Sequence, residues 1–218
     1  MISGVRMPMK EEDRMQSIEV ATPPFFSPLI RRYTLQEFWA LAEPNDRYHY
    51  DLIGGMLFMV PPPAPPHGSI DSRLNRSLVG FLLSNKLEGE VHHPHEPIYR
   101  SSESPTYLEP DMMYVSEELA QSMGTKRTSA DIVFEYASKS TAIYDRTTKA
   151  DTYLGLGVRE LWIIDSSTKT IEVRHATTNQ SALAWEVHRY SAGDSAESTV
   201  LPGWRVSVDE LFEGLTEE

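Results

Sequence analysis

Three charged residues in the middle of the chain stand beside apolar segments and could together cut a phosphodiester bond. Asp111 precedes the apolar segment 112–115, Glu135 closes the apolar segment 132–134, and Lys149 follows further along. A carboxylate in such surroundings costs free energy unless another group compensates its charge. Two carboxylates bind Mg²⁺, and a nearby lysine can orient the attacking water or stabilise the developing charge. The pattern therefore predicts a metal-dependent hydrolytic site.

The elements that must position these residues follow from hydrophobic spacing and turn residues. The class predicted is α/β or α+β, with a mixed central sheet flanked by helices. Residues 1–32 are expected to form an irregular N-terminal arm, and residues 33–218 one domain. Helices are predicted from residue 34, over about 70–86, over 145–156 and over 208–212. Strands are predicted over 48–53, 56–60, within 90–115, and over 131–137, 161–164, 170–175 and 185–190.

Bulk composition limits the possible classes of protein. The chain has 218 residues, of which 40% are hydrophobic and 24% charged, so it can build one ordinary core. It has no cysteine, which excludes disulfides and thiolate metal sites. No apolar run approaches the length of a membrane span, and the first residues do not resemble a signal peptide, so a cytoplasmic protein without membrane association is expected.

The net charge of −12 disfavours a protein that holds nucleic acid through a generally basic surface. A local basic groove or bound cations can still offset the global field, so nucleic acid stays a possible substrate.

The order Pro-Asp, then Glu-x-Lys, is the signature of the PD-(D/E)XK nuclease superfamily. Here Ala137 stands two residues after Glu135, where that signature has lysine. Lys139 would share a strand face with Glu135, but it is expected beyond the end of the strand. Lys149, on the following predicted helix, is the better candidate, and it shares a helical face with Tyr153.

Taken together, the motifs resemble the Uma-type restriction endonucleases, a branch of that superfamily. The resemblance spans about residues 33–212. The matching stretches are 33–38, 50–55, 61–63, 67–68, 110–111, 132–135, 138, 145–146, 149, 153, 157–165 and 201–204. It implies a restriction endonuclease-like fold, with Asp111 and Glu135 as ligands of Mg²⁺ or Mn²⁺ and Lys149 as a displaced catalytic lysine. It also implies that Asp51 is a further active-site carboxylate.

The chain departs from the family pattern in three places. Glutamate is usual where Asp51 stands, and an acidic residue is common where Gly54 stands. Ser138-Lys139 replaces the usual Ser-Pro after the second carboxylate. Asp51 is one methylene shorter than the usual residue, which shortens its reach toward a metal.

Two further residues are predicted to bind substrate. His67, after the proline run 61–66, either lines the entrance for a phosphate or is a cap or loop histidine. Tyr153 either contacts substrate or packs in the core with its hydroxyl bonded nearby. The cluster of His92, His93 and His95 invites a metal interpretation, but Pro94 between them favours an exposed turn.

The leading hypothesis is a metal-dependent endonuclease that hydrolyses DNA. A homodimer is expected, because nucleases of this fold often cut duplexes in pairs. The alternative is a catalytically weakened nuclease fold that binds nucleic acid or a protein. The net charge, Asp51 and the missing Glu-x-Lys favour that alternative. A polyproline adaptor using residues 61–66 is a third and weaker hypothesis, since a structural bend explains six such residues.

Overall fold

The computed structural model describes residues 31–42, 48–63, 65–179 and 181–215. The predicted N-terminal arm lies almost entirely outside these ranges. The helices are α1 Leu35–Trp39, α2 His67–Asn85, α3 Glu117–Met123, α4 Ala142–Tyr144, a π-helical turn Asp145–Lys149, α5 Ala150–Leu156 and α6 Val208–Phe212. The strands are β1 His49–Ile53, β2 Met56–Val60, β3 Gly89–His92, β4 Ile98–Arg100, β5 Thr106–Leu108, β6 Met112–Ser116, β7 Ile132–Ala137, β8 Glu160–Asp165, β9 Thr170–Asn179, β10 Ala182–Tyr190, β11 Ser195–Glu197 and β12 Arg205–Ser207.

A six-stranded mixed sheet forms the centre, in the order β10-β9-β8-β7-β6-β3. β7 and β8 run parallel, and the other neighbours in this sheet are antiparallel. A smaller antiparallel sheet has the order β2-β1-β5-β4, and β11 pairs with β12. The predicted fold class, a mixed sheet with flanking helices, is confirmed.

The alternation of side chains along β7 divides the core into two clusters. Ile132, Phe134 and Tyr136 pack with apolar residues of α2 and α6 on one face. Val133 and Ala137 pack on the other face with residues of α5 and of the smaller sheet. Because successive strand residues point to opposite faces, Glu135 lies on this second face, where α5 and β1 also meet.

Local signals explain where the helices begin and end. Thr34 caps α1 through a capping box with Glu37, whose backbone nitrogen lies 3.1 Å from the Thr34 hydroxyl. Lys86, after α2, and Gly157, after α5, adopt left-handed backbone conformations. The predicted hairpin of β1 and β2 turns at Gly54 and Gly55, both at positive φ.

The structure differs from the sequence prediction in several elements, including β11 and β12, which were not predicted. α3 was not predicted, although Ser116 caps it and acidic residues open its first turn. The predicted helix over 145–156 begins at Ala142 instead and contains the π-helical turn. β9 and β10 extend well beyond the predicted strands and form a long hairpin. Among the described residues, no helix is both long enough and apolar enough to cross a lipid bilayer.

Candidate active site

β6 and β7 bring two carboxylates opposite each other. The antiparallel ladder pairs Met112 with Phe134, and one further step of the same register places Asp111 opposite Glu135. Directly opposed residues on antiparallel strands have Cβ atoms about 4.5–5.5 Å apart and share one face. Two carboxylates far apart in sequence therefore lie beside each other on two neighbouring interior strands of the central sheet.

Asp111 is held in place by the neighbouring strand. Its Oδ2 accepts a hydrogen bond of 2.6 Å from the backbone nitrogen of Tyr136. Burial raises the pKa of Asp111 to about 6, although Lys149 and this hydrogen bond act in the opposite direction. The pKa of the Asp111 carboxyl is therefore above its usual range, and a cation beside it would lower that pKa.

Lys149 reaches Glu135 from the helix that follows β7. Its Nζ donates to Glu135 Oε2 at 2.9 Å, and the Tyr153 hydroxyl donates to Glu135 Oε1 at 2.5 Å. Lys149 and Tyr153 lie one turn apart on one helical face, as expected, and each contacts one oxygen of the same carboxylate. Lys149 ends the π-helical turn, a conformation that occurs frequently at functional sites.

Asp51 enters the cluster from the smaller sheet. It is fully buried in β1, with Oδ2 lying 3.8 Å from Lys149 Nζ. The Tyr144 hydroxyl donates to the same oxygen at 3.0 Å. Asp51 Oδ1 has no hydrogen-bond partner among the described residues. The structure thus brings Asp51 close to Lys149. One buried oxygen of Asp51 has no hydrogen-bond donor among the described residues.

The charge balance of the cluster is strongly acidic. Burial alone would lower the pKa of Lys149, but Glu135, Asp51, Asp145 and Asp111 together raise it well above its usual value. Burial raises the pKa of Glu135, Lys149 opposes that shift, and Asp111 and Asp145 reinforce it. Four described carboxyl groups therefore surround one ammonium group, which is an environment that favours an additional cation.

A small cavity of about 50 Å³ lies against this cluster, and Asp111, Glu135, Asp145, Lys149 and His67 are among its lining residues. Within the described ranges, no three His, Asp or Glu side chains are arranged to enclose a metal ion. Magnesium, however, usually takes only one or two protein carboxylates and keeps several waters. Asp111 and Glu135 fit that requirement, since a carboxylate has about four lone-pair sites and Glu135 uses two of them.

His67 is the first residue of α2 and is 9% exposed. Neither ring nitrogen has a hydrogen-bond partner among the described residues. Its ring centroid lies 6.0 Å from that of Tyr136 in an edge-on arrangement, and burial lowers the pKa of its imidazole. A buried imidazole with two unsatisfied nitrogens beside the cavity is suited to contact a ligand.

Other candidate residues lie apart from the cluster. Lys139 is exposed in the turn after β7, as expected. His92 contacts Glu90 and His95 contacts Glu109, whereas His93 reaches Asp71 at 3.2 Å. The three histidines therefore have separate acidic partners.

Sequence reasoning missed two members of the cluster. Asp145 lines the cavity. Tyr144 contacts two residues of the cluster. It binds Asp51, and Lys149 Nζ lies 5.8 Å from its ring centroid. The spacing of Asp145 and Lys149 on one helical face was the available signal for the first, and nothing in the sequence signalled the second.

The central mixed sheet, its flanking helices and the acid-lysine cluster define a protein with a nuclease fold. Residues 35–209 match the profile of the Uma2 family, described as "Putative restriction endonuclease", and the chain belongs to that family. A crystal structure described as a putative nuclease of the DUF820 family from Anabaena variabilis is similar, with a TM-score of 0.63. The two chains are 16% identical, and the match covers 83% of this chain and 97% of the other. Comparison with curated proteins finds no match.

Proposed function

We propose that the protein is an endonuclease that hydrolyses DNA phosphodiester bonds with Mg²⁺ or Mn²⁺. One observation carries the proposal: Glu135 lies opposite Asp111 and is bound by Lys149 and Tyr153 from the next helix. This is the carboxylate pair and lysine of the predicted site, assembled from separate segments. Membership of the Uma2 family supports a nuclease over other hydrolases.

Asp111 and Glu135 would hold the metal ion. When bound there, a divalent cation supplies a nucleophile at neutral pH by lowering the pKa of water, and it polarises the scissile phosphate. Asp51 Oδ1 accepts no hydrogen bond from the described residues and lies 4.0 Å from His49 Nε2. A cation would also reduce the repulsion between the acidic cluster and a phosphate.

The remaining residues of the cluster orient the reacting groups and stabilise charge. Lys149 carries an ammonium group with three donors, of which one is used by Glu135, so it can also orient the attacking water or neutralise charge on the phosphate. Tyr153 is fully buried, so its part is to hold Glu135 Oε1. Asp51 and Tyr144 hold Lys149 from the other side. His67 contacts the phosphate as it enters.

Metal-dependent stabilisation and cleavage test the proposal together. Mn²⁺ or Mg²⁺ should raise the melting temperature of the wild type and support cleavage of plasmid or oligonucleotide DNA, because a ligand that binds only the folded state stabilises it. Asp111→Asn and Glu135→Gln should lose both effects. Glu186→Gln, which changes an exposed glutamate of β10, is the matched control. Full cleavage by Glu135→Gln would overturn the assignment.

A second candidate is a weakened nuclease fold that binds nucleic acid or a protein without cutting. The specific observation in its favour is Asp51, which is one methylene shorter than the usual glutamate and contacts Lys149 through Oδ2 at 3.8 Å. Retention of DNA in a binding assay, with no cleavage by wild type across both metals, would select this candidate. For an active enzyme we further propose a homodimer, which light scattering of the purified protein would test.

A further inference from the structure

A second and larger cavity adjoins the candidate active site. Its volume is about 380 Å³, within the roughly 300–1,000 Å³ typical of small-molecule pockets. Both cavities are lined by His49, Pro63, His67, Glu109, Asp111 and Tyr136. A group bound in the larger cavity would therefore be directly attached to, or next to, a phosphate held at Asp111 and Glu135.

The walls of this cavity suit a flat ring with hydrogen-bond donors. Pro63, Pro94 and Pro110 line it, together with the ring of Tyr136, and these surfaces are apolar and rigid. Asp71 contributes a carboxylate, whose Oδ1 accepts a hydrogen bond of 2.9 Å from the Tyr136 hydroxyl. A pocket with apolar walls and a few fixed polar groups is the usual form of a site for a small aromatic ligand.

Acceptor groups in the walls favour a neutral base. Asp71 and Glu109 line the cavity together with His49, His93 and His95, and the two carboxylates can accept hydrogen bonds from an amino group. The Asp71 carboxylate is also fixed by His93 Nδ1 at 3.2 Å. His67 adds a buried imidazole whose two nitrogens have no partner in the described part of the chain. Neutral bases with exocyclic amino groups fit these contacts.

We propose that this cavity receives an unpaired nucleobase beside the scissile phosphate, so that single-stranded or locally unpaired nucleic acid is the preferred substrate. The inference rests on the proposed nuclease function and adds the substrate class. A base inside a duplex stack cannot enter such a pocket unless it is unpaired or flipped out, and that step costs free energy. A substrate that is already unpaired avoids this cost.

Gly68 offers a position from which a larger side chain can fill the cavity. It lines the cavity on the first turn of α2, and a Cβ added there would meet no atom within 4 Å. Gly68→Phe should therefore fold and occupy the pocket, and Gly68→Leu is a smaller second variant. Gly80, exposed on the same helix, also has open space around an added Cβ, so Gly80→Phe is the matched control.

The first measurement compares cleavage of an oligonucleotide duplex with that of the same sequence carrying an unpaired segment. Wild type and Gly80→Phe should cut the unpaired substrate at least about tenfold faster, as a cost of about 1.4 kcal/mol would give. Gly68→Phe and Gly68→Leu should lose at least that factor on the unpaired substrate, with melting temperatures close to wild type. Equal rates on both substrates, or cleavage at the wild-type rate by both Gly68 variants, would overturn the inference.

The second measurement separates this inference from the proposed function. Binding of 2′-deoxyadenosine, which carries no phosphate, can be followed by NMR or calorimetry without metal and without cleavage. Binding to wild type that weakens at least about tenfold in Gly68→Phe supports the base pocket even if no DNA is cut. Metal-dependent cleavage with no binding, or with equal binding to both proteins, overturns the pocket and leaves the nuclease proposal standing.

Discussion

Lys149 places its ammonium nitrogen 2.9 Å from Glu135 Oε2, although the two residues are 14 positions apart and lie on different elements. Ala137, two residues after Glu135 on the same face of β7, points into the apolar core beside α5. A lysine at position 137 would have supplied the charge from the strand itself. The helix supplies it instead, so the position of this amine depends on how α5 packs against the sheet.

Replacement of Lys149 tests the displaced lysine. Lys149→Met should reduce cleavage by about 10²–10³-fold, the range seen when one donor to a developing charge is removed. It should also destabilise the protein by about 3–5 kcal/mol, because the variant leaves buried carboxylates without their cation. Cleavage assays and chemical denaturation measure the two effects. Lys169→Met, which changes an exposed lysine in the turn after β8, should alter neither, and wild-type cleavage by Lys149→Met would exclude Lys149 from the mechanism.

Tyr153 is expected to position Glu135 and to lower its pKa. The hydrogen bond from the Tyr153 hydroxyl favours the charged carboxylate. Tyr153→Phe removes it, so the pKa of Glu135 rises and the acid limb of the pH–rate profile moves to higher pH. Activity at neutral pH should fall several-fold. Tyr190→Phe, at the end of β10 and packed against the core cluster on the opposite face of the sheet from Glu135, should leave the profile unchanged. If Tyr153→Phe lowers the cleavage rate equally at every pH and leaves the acid limb at the same pH, this positioning role is contradicted.

Asp51 is expected to act on Lys149 more than on the metal. Its Oδ2 lies 3.8 Å from Lys149 Nζ and accepts the Tyr144 hydroxyl. Asp51→Asn should lower cleavage by about tenfold, which corresponds to about 1.4 kcal/mol, while the rise in melting temperature caused by Mn²⁺ is kept. Loss of that thermal shift would make Asp51 a metal ligand instead. Asp194→Asn, in an exposed turn, serves as the control.

Glu160, at the start of β8, links stability to pH away from the site. Its buried carboxylate accepts hydrogen bonds from Trp162 Nε1 at 2.5 Å and from the Thr199 backbone at 2.8 Å. Burial alone would raise the pKa of Glu160, but hydrogen bonds, first of all from His175, outweigh it and lower the pKa below its usual 4.5. The stabilisation is therefore complete above about pH 4.5 and is lost as pH falls through the lower folded-state value.

Glu160→Gln should remove that pH dependence and cost about 1–3 kcal/mol at neutral pH. Thermal unfolding between pH 3 and pH 7 measures both quantities. Glu118→Gln, exposed on α3, should follow the wild-type curve. A Glu160→Gln curve that falls below pH 4.5 as steeply as wild type would show that other carboxyls dominate acid unfolding.

Strong periodic segments could be predicted because their pattern is local. The apolar spacing of α2 and the alternation of β7 indicate their type and their buried faces, and Gly157 marks the end of α5. The π-helical turn could not be predicted, since it depends on how the segment that connects β7 to β8 packs in the fold. α3 was missed because its apolar face is short: Leu119, Ala120 and Met123 pack against the core, and its other side chains are exposed.

The sequence by itself determined which residues could do chemistry. Carboxylates at 111 and 135, a lysine at 149 and the alanine at 137 are readable from residue type and spacing alone, as is the family to which the chain belongs. Only the tertiary structure decided that Asp51 and Tyr144 surround Lys149 and that a second cavity opens beside Asp111. These contacts join the smaller sheet to the helical segment 142–156, and they join α2 to the turn at residues 93–95. Such contacts arise from the packing of whole elements, whose relative positions leave no local pattern in the chain.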